Sequence, residues 1–372
     1  MPHYIVTSDW HIQNTGPFAR HLEGGLTTRA KFAFDFIEWL WDYCEKNKIE
    51  KILHCGDFFT QRGMISAPLY NRFWDLLTAC PVPMIMIVGN HDRYKTDPSI
   101  HGMYVLADAL DNITILDNQV TLDRNIRVAG CPPPLDLESQ KFKFPLPFKS
   151  FGEGKHSLRT KRNILLIHEN IIGAAYSSGK KADEGVSPQR LAEWMRENNF
   201  DICFCGDIHV PQEMTAWNPS IVIVGAPFQM DFGDRGQPRG IWNYDSDNNI
   251  VEFVRYEKGP MFFQVTDETW QEFASNSHSI NHNTDFYQFK VKSLELYREI
   301  GELKKDWPNC EVQLVVDSSE EEFTVDNLYD ANEIVPAYVR NEVEEVSKQI
   351  PLINRGLRYI EEALKEKGEQ KL

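Results

Sequence analysis

The stretch KILHCGDFF, residues 51–59, joins an apolar run to an aspartate through a glycine. The apolar run is typical of a buried strand, and the glycine lets the chain turn so that Asp57 projects from the carboxyl end of that strand. The same pattern returns in ICFCGDIH, residues 202–209, where Asp207 takes the equivalent place. Two carboxylates at the ends of two buried strands predict a site between them.

The chain around these two strands alternates between strand and helix patterns from residue 1 to about residue 265. The longest predicted helix runs from Thr28 to Lys46, and a hairpin is predicted between 240–244 and 250–256. Further strands are predicted at 51–55, 84–88, 113–116, 126–129, 164–167, 202–205 and 221–224, with helices near 69–77, 103–110 and 189–197. This pattern predicts an α/β sandwich rather than a single parallel sheet.

Composition limits where the protein works and what it binds. The chain has 372 residues, 42% of them hydrophobic, which is enough for one large core and a smaller appended unit. Seven cysteines, an odd number set mostly in apolar segments, predict reduced and buried thiols. We expect a cytoplasmic protein, because neither a membrane span nor a signal-peptide pattern is visible.

The net charge of −16 repels nucleic acid at long range, so DNA binding would depend on local basic patches, metal ions or a partner.

Five apolar runs end in side chains that can bind a metal ion, and the recurrence is more informative than any single case. The five segments are Asp9-Trp10-His11, Gly56-Asp57, Gly89-Asn90-His91-Asp92, His168-Glu169-Asn170 and Gly206-Asp207-Ile208-His209. Mixed carboxylate, imidazole and amide ligands suit Mn²⁺ or Mg²⁺ and also admit Fe or Zn²⁺. Two such ions about 4 Å apart can share a carboxylate and activate a water for attack near neutral pH.

This ordered set, D-x-H, GD, GNHD, H and G-x-x-H, resembles the calcineurin-like metallophosphoesterases. More narrowly, the chain resembles the SbcD-type nuclease subunit of double-strand-break-processing complexes and its phage recombination relatives, on the further motifs SDWH (8–11), GDFF (56–59), GAP (225–227) and DRGQPRG (234–240). The resemblance implies a two-sheet αββα sandwich with a small α+β capping domain and C-terminal helices. The resemblance is strong over residues 1–260. For the rest of the chain, only the order of the predicted elements is similar.

The resemblance also implies a role for each residue of the site. One metal would be held by Asp9, His11, Asp57 and His209. The second would be held by Asn90, His168 and Asp207 together with the bridging Asp57. His91 would stay free of both metals and protonate or stabilise the leaving oxygen, with Asp92 orienting its ring. Two divalent ions are expected as cofactors, with Mn²⁺ preferred and Mg²⁺ as the alternative.

Asp207 departs from the family pattern. The family usually has Gly-His-x-His, whereas this chain has Gly206-Asp207-Ile208-His209, so a carboxylate replaces an imidazole. A harder ligand predicts a shift toward Mn²⁺ or Mg²⁺ and away from Zn²⁺. The alternative is that Asp207 binds no metal and the second site is weak or empty.

The predicted organisation has three parts: a nuclease domain at 1–274, a small α+β capping domain at 284–332 and a helical segment at 334–367. The last segment carries the apolar stripe Ile353, Leu357, Ile360 and Leu364. It would either dock on its own small domain or, as the resemblance implies, bind an SbcC-like SMC-type ATPase. A homodimer is also expected from the resemblance.

Some residues are candidates for DNA contact, each with a plainer alternative. A Pro-rich insertion carries a basic half at 141–162, which would be a backbone-contact loop or a solvated insertion. Arg62, Arg93, Tyr94 and Lys95 would touch substrate or be ordinary surface residues. Phe58 and Phe59 are predicted to lie in the core.

Together these observations predict a dimetal DNA nuclease subunit that hydrolyses phosphodiester bonds at DNA ends in recombination, repair or degradation, in a bacterial or phage-infected cytoplasm. Two other classes stay open: a phosphomonoesterase or small nucleotide phosphodiesterase, and a non-catalytic scaffold. His91 argues against the scaffold, because a scaffold has no use for a leaving-group acid.

Overall fold

The structure is a computed structural model that describes residues 3–62, 65–94, 97, 99–117, 119–123, 126–133, 161–275, 284–303 and 307–315. The chain divides into one unit at residues 1–314 and another at 315–372. The predicted helical segment at 334–367, Lys95 and the basic insertion up to residue 160 lie outside the described residues.

In chain order the described strands are β1 (His3–Thr7), β2 (Lys51–His54), β3 (Met84–Met86), β4 (Ile113–Ile115), β5 (Gln119–Asp123), β6 (Ile126–Cys131), β7 (Arg162–His168), β8 (Ile202–Gly206), β9 (Gln212–Met214), β10 (Ser220–Ile223), β11 (Gly240–Asp245), β12 (Ile250–Arg255), β13 (Phe262–Thr266), β14 (Phe286–Val291) and β15 (Cys310–Leu314). The helices are α1 (Thr28–Lys46), α2 (Ala67–Thr78), α3 (Tyr104–Ala109), α4 (Pro188–Glu197), α5 (Trp270–Ser275) and α6 (Leu294–Leu303).

Two six-stranded sheets form the larger part of the described fold. The first has the order β12-β11-β1-β2-β3-β4, in which β1 to β4 are parallel and β11 and β12 are antiparallel. The second has the order β5-β6-β7-β8-β10-β9, with a parallel centre and antiparallel edges. Helices connect the parallel pairs β1–β2, β2–β3, β3–β4 and β7–β8, as the alternating sequence pattern predicted.

The sheets pack face to face, and helices cover their outer faces. Val6 and Leu53 of the first sheet meet Leu166 and Phe204 of the second in one buried cluster. Helices α1, α2 and α3 cover the first sheet, while α4 covers the second. The predicted αββα sandwich is therefore confirmed.

Several local predictions can be compared directly with the structure. Helix α1 has the predicted bounds, and the hairpin of β11 and β12 is present. Phe58 and Phe59 are fully buried, and all seven cysteines are buried and form no disulfide within the described residues. Strands β5, β9 and β13 were not predicted; β5 and β9 are short strands at the edges of the second sheet. Across the described ranges, none of the helices combines the length and the apolar character needed to cross a bilayer.

A small parallel sheet, β13-β14-β15, stands apart from the sandwich sheets in hydrogen bonding. Helices α5 and α6 lie in its two connections, and its core contains Tyr287, Phe289 and Ile300. Strand β13 pairs with β14, so the small sheet takes its first strand from the chain before residue 274. The predicted division at 274–284 itself stays a prediction.

Candidate metal centre

The candidate ligands follow the carboxyl ends of parallel strands in both sheets. Asp9 and His11 follow β1, Asp57 follows β2, and His168 ends β7. Asn90 comes after β3, while Asp207 and His209 come directly after β8. Since the sheets pack face to face, these ends meet along one edge of the sandwich.

The two Cys-Gly-Asp segments lie directly against each other, which explains why each contains glycine. A Cβ atom on Gly206 would lie 2.5 Å from the carbonyl oxygen of Cys55 and 2.6 Å from Nδ1 of His168. Gly56 has φ of +96°, and its Cβ atom would lie 2.7 Å from the backbone nitrogen of Gly89. Neither position has room for a side chain, so the glycines permit the strand ends to approach each other closely.

Four of the candidate ligands have left-handed backbone conformations. The φ angles are +53° at Asp9, +42° at His11, +60° at Asp57 and +82° at Asp207. Such a conformation costs about 1–3 kcal/mol per non-glycine residue and persists only where the surroundings impose it. Here backbone hydrogen bonds join the loops, from Asp9 N to Gly56 O (2.9 Å) and from His11 N to Asp57 O (3.2 Å). Strain concentrated at these positions is typical of a functional site.

One group of side chains contains Asp9, His11 and His209, whose ligand atoms lie within 4.8 Å of one another. The Nε2 atoms of His11 and His209 are 3.2 Å apart, and His11 Nε2 lies 3.9 Å from Asp9 Oδ1. Two imidazole nitrogens and a carboxylate oxygen therefore converge on one point.

A second group contains Asp9, Asp57 and His168. Asp57 Oδ2 lies 3.3 Å from His168 Nε2 and 3.6 Å from His11 Nε2, so it stands between the two groups. Its other oxygen, Oδ1, accepts the backbone N–H of His91 at 2.8 Å. This placement suits the predicted bridging role of Asp57.

Asn90 and Asp207 complete the second group. Asp207 Oδ1 accepts from Asn90 Nδ2 at 3.4 Å and lies 3.7 Å from His168 Nε2. The backbone N–H of Asp207 points to the Asp9 carboxylate at 3.2 Å. All seven residues predicted as ligands are thus brought together in one place.

His91 lies beside this cluster, with its ring 5.0 Å from that of His11. Its Nδ1 lies 2.8 Å from the carbonyl oxygen of Thr60. A carbonyl only accepts hydrogen bonds, so Nδ1 carries the proton and Nε2 is left for other contacts. Thr60 was not singled out from the sequence, because a carbonyl contact leaves no signal in the residue type.

Asp92, predicted to orient the His91 ring, directs its carboxylate to the backbone of the site. Its carboxylate accepts backbone N–H groups rather than the ring of His91, and all four donors come from two loops of the site. These donors, at 2.8–3.2 Å, belong to Asp57, Phe58, Phe59 and Gly89. Asp92 therefore holds the loop after β2 against the loop after β3 and shapes the site through the backbone.

Burial and mutual charge set the protonation of the cluster. Burial lowers the pKa of His11 to about 3, so its ring is neutral and keeps a free lone pair at neutral pH. Burial raises the pKa of Asp9 to about 6, against the opposing influence of His168 and His209. Burial acts to lower the pKa of His168, but the carboxylates of Asp57, Asp9 and Asp207 together outweigh it and hold that pKa well above the usual value.

The donor set fits divalent metal ions. His168 Nδ1 lies 2.6 Å from the Cys55 carbonyl, so the proton sits there and Nε2 is the atom directed at the cluster, as in many metal-binding histidines. His168 Nε2 and Asn90 Oδ1 are buried atoms without a hydrogen-bond partner in the described part of the chain. Oxygen atoms and imidazole nitrogens are the donors that Mn²⁺ accepts readily.

Other candidates from the sequence lie elsewhere. Arg93 is buried, and its guanidinium is 3.8 Å from Asp117, so it is not available as a surface contact to substrate. Arg162 and Lys161, at the end of the basic insertion, bind the hairpin turn at Ser246 and Asp247. Tyr94 is exposed.

The sequence analysis did not predict a buried ion pair that contacts the backbone of His209. Arg239 Nη2 lies 2.5 Å from Asp234 Oδ1, and Nη1 donates to the carbonyl oxygen of His209. Both residues belong to the DRGQPRG motif, which the sequence showed without indicating what it contacts.

Comparison with known protein families identifies one family that matches this chain. A model of the calcineurin-like phosphoesterase family matches residues 2–211. Exonuclease subunit 1 of Enterobacteria phage T4 is 24% identical over 228 residues, which cover 59% of this chain and 60% of that protein. The match thus spans less than two thirds of the length of that relative.

Solved structures also match. A dimetal phosphatase from Danio rerio has 11% identity and a TM-score of 0.43, with coverage of 65% of this chain and 91% of the other. A purple acid phosphatase from yellow lupin, Lupinus luteus, has 14% identity and a TM-score of 0.39, with coverage of 68% and 52%.

Proposed function

We propose, from the premise that this chain belongs to the calcineurin-like phosphoesterase family, that it is a metal-dependent nuclease that hydrolyses phosphodiester bonds at DNA ends. Membership in this family makes a phosphate ester the class of substrate. The likeness to exonuclease subunit 1 of phage T4 supports DNA as that ester.

The observation that carries the proposal is the convergence of seven side chains that can bind metal, grouped around Asp57 Oδ2. In the proposal one ion is held by Asp9, His11, Asp57 and His209, and the other by Asp57, Asn90, His168 and Asp207. Bound there, two divalent ions supply water activation and neutralise charge on the phosphate. Mn²⁺ is the proposed ion, with Mg²⁺ as the alternative, since the carboxylate of Asp207 makes the donor set harder.

The chain's own residues have separate tasks in this reaction. When both ring nitrogens of His91 carry a proton, Nε2 gives its proton to the leaving oxygen and the ring becomes neutral, while the Thr60 carbonyl fixes the ring by accepting from Nδ1. The Asp92 carboxylate holds the backbone of the loops that carry Asp57 and His91. The phosphate is thereby positioned between the bridging carboxylate and the proton donor.

The proposal includes an SMC-type ATPase partner and a homodimer. The net charge of −16 supports a partner that provides grip on DNA, because an acidic chain gains little from long-range attraction to a polyanion. Buried cysteines that form no disulfide within the described residues suit a reducing cytoplasm. A double variant, Leu357→Asp with Ile360→Asp, is expected to abolish co-purification with such an ATPase and to leave Mn²⁺ binding unchanged. Retained co-purification would reject this part of the proposal.

The nuclease proposal is tested by Mn²⁺-dependent hydrolysis of linear DNA and of p-nitrophenyl phosphate, a phosphomonoester. We expect the wild type to cleave DNA, and His91→Ser to reduce that rate about a hundredfold or more, which is typical of losing a general acid. His21→Ser replaces an exposed histidine and is the matched control.

The outcomes separate the three classes of function. Hydrolysis of the phosphomonoester without cleavage of DNA would identify a phosphomonoesterase and contradict the proposal. Mn²⁺ binding without hydrolysis of either substrate would indicate a scaffold.

A further inference from the structure

A cavity of about 560 Å³ extends from the metal centre to the edge of the small sheet. The residues at one end are His11, Asp57, His91, Asp207 and His209. Its far end is lined by side chains that are not among the candidate metal ligands and have no task in the reaction described above. Cavities of about 300–1,000 Å³ are typical of sites for small organic molecules. The cavity is thus larger than a phosphate group requires.

Three phenylalanines form a wall at the far end: Phe18, Phe232 and Phe262. The rings of Phe18 and Phe232 meet edge to face with centroids 6.3 Å apart, and those of Phe232 and Phe262 do so at 5.1 Å. Phe262 also stacks on the buried Phe286 at 4.5 Å. Because each ring is held by the next, the wall is preorganised for contact with a flat apolar group.

The charges at the far end disfavour a phosphate there. Arg29 lines the cavity, but so do the carboxylates of Asp231 and Glu311. Arg29 Nη2 donates to the carbonyl oxygen of Met230 at 2.7 Å, and the guanidinium lies 5.9 Å from the Phe262 ring. One guanidinium and two carboxylates leave a net negative charge.

Glu311 is held in place at the edge of the small sheet. Its Oε1 accepts from Gln313 at 2.6 Å and its Oε2 accepts from Gln288 at 3.2 Å. A carboxylate oxygen has room for more than one donor, so Glu311 can also accept from an amino group in the cavity. The exocyclic amino groups of adenine, cytosine and guanine are such donors.

We propose that the far end of this cavity, with Phe18, Phe232, Phe262 and Glu311, binds a nucleobase that is unstacked from the end of the DNA strand next to the scissile phosphate. The inference rests on the proposed function and specifies its substrate: a terminal nucleotide, with its phosphate at the metal centre and its base on the phenylalanine wall. Stacking of bases on aromatic side chains tolerates any sequence, which suits a nuclease acting at DNA ends.

Calorimetry on the full-length, Mn²⁺-loaded protein tests this inference with two small probes. The first is dAMP, and the second is 2-deoxyribose 5-phosphate, which has the same phosphate and sugar but lacks the base. We expect dAMP to bind about tenfold more tightly, within the range that one base–aromatic stack provides. Equal affinities for the two probes would overturn the inference.

Two variants locate the effect. Phe18→Ala and Phe232→Ala, made singly at half-buried positions, are expected to bring the affinity for dAMP close to that for the sugar phosphate. Phe263→Ala is the matched control, since Phe263 neighbours Phe262 on the same strand but is exposed and stacks on Tyr287 instead. Unchanged dAMP binding in both cavity variants would also overturn the inference, and Mn²⁺ titration of each variant verifies that the metal centre is intact.

The test distinguishes this inference from the proposed function. Tighter binding of dAMP together with no cleavage of linear DNA would refute the nuclease and leave the nucleobase pocket standing. Cleavage of DNA together with equal binding of the two probes would refute the pocket and leave the nuclease standing.

Discussion

Arg239 donates a hydrogen bond from its guanidinium to the backbone carbonyl of His209, which is a candidate metal ligand. The guanidinium is buried and pairs with Asp234, and its Nη2 also lies 3.1 Å from Ser177 Oγ. Asp234 in turn accepts from the backbone N–H of Met230 at 2.9 Å. The position of His209 thus depends on an ion pair whose Arg239 lies 30 residues further along the chain.

We expect Arg239→Met to weaken Mn²⁺ binding about 10–100-fold, which is typical of changes to groups that orient metal ligands. It also leaves the Asp234 carboxylate buried without its partner, which costs about 3–5 kcal/mol in the free energy of unfolding. Calorimetric Mn²⁺ titration and urea unfolding of the metal-free protein measure the two effects. Arg235→Met is the control, because Arg235 lies in the same loop but is exposed. Unchanged Mn²⁺ affinity in Arg239→Met would show that Arg239 has no part in positioning His209.

Asp92→Asn tests whether Asp92 acts through the backbone. The amide has one acceptor oxygen and turns its NH₂ group toward N–H donors, so we expect a loss of about 3 kcal/mol in the free energy of unfolding. Urea unfolding measures the loss. Asp97→Asn is the control, since Asp97 is an exposed carboxylate that binds the neighbouring Ser99, and we expect little change there. If the stability of Asp92→Asn is unchanged and its pH profile of hydrolysis is shifted, the result would favour the role that the sequence predicted for Asp92, which is to orient the ring of His91.

The direction of the Asp92 side chain could not be predicted from the sequence. The carboxyl ends of the predicted strands lie within about two residues of the observed ends, because apolar runs and glycines leave a local signal, and helix α1 was predicted to the residue. The convergence of Asp57 and Asp207 followed from the parallel strands that carry them. Asp92 is adjacent to His91 in sequence, which suggested a pairing, but the backbone turns its carboxylate toward the loop after β2. Side-chain direction in such a loop depends on φ and ψ angles that the residue type does not determine.

Contacts between segments that are distant in the sequence could not be predicted either. The pairing of Arg239 with Asp234 was invisible because nothing in the motif tells a buried ion pair from two surface charges. Arg93 looked like a surface cation, yet it is buried beside Asp117. The phenylalanine wall joins Phe18, Phe232 and Phe262 from three separate segments, and only the folded chain brings them together.

Asp207→His is expected to change which metal supports activity. Imidazole is a softer ligand than carboxylate, so the variant should gain activity with Zn²⁺ relative to Mn²⁺. The ratio of hydrolysis rates with the two metals measures the shift. Asp207→Asn keeps the shape and removes the charge, so it should weaken the second site without moving the preference toward Zn²⁺. An unchanged rate ratio and unchanged activity in Asp207→His would show that Asp207 binds no metal.

The protonation of Asp9 and His168 predicts how Mn²⁺ binding depends on pH. The ring of His168 is protonated in the metal-free protein near neutral pH, because the nearby carboxylates of Asp57, Asp9 and Asp207 together outweigh burial in setting its pKa. Metal binding through Nε2 must displace that proton. Asp9, with a pKa raised to about 6 by burial, holds a second proton when the pH falls below that value. His11 contributes none, since its pKa is lowered to about 3.

We therefore expect Mn²⁺ affinity to fall as the pH is lowered, about tenfold per unit near pH 7 and more steeply below pH 6, because each displaced proton contributes one tenfold step per unit. Calorimetry in buffers with different ionisation enthalpies counts the protons released. The count should rise from about one near pH 7 toward two near pH 5, when Asp9 joins His168. Asp183→Asn, at an exposed carboxylate, should leave that count unchanged. A Mn²⁺ affinity that stays constant between pH 5 and pH 7 would mean that neither side chain gives up a proton to the metal.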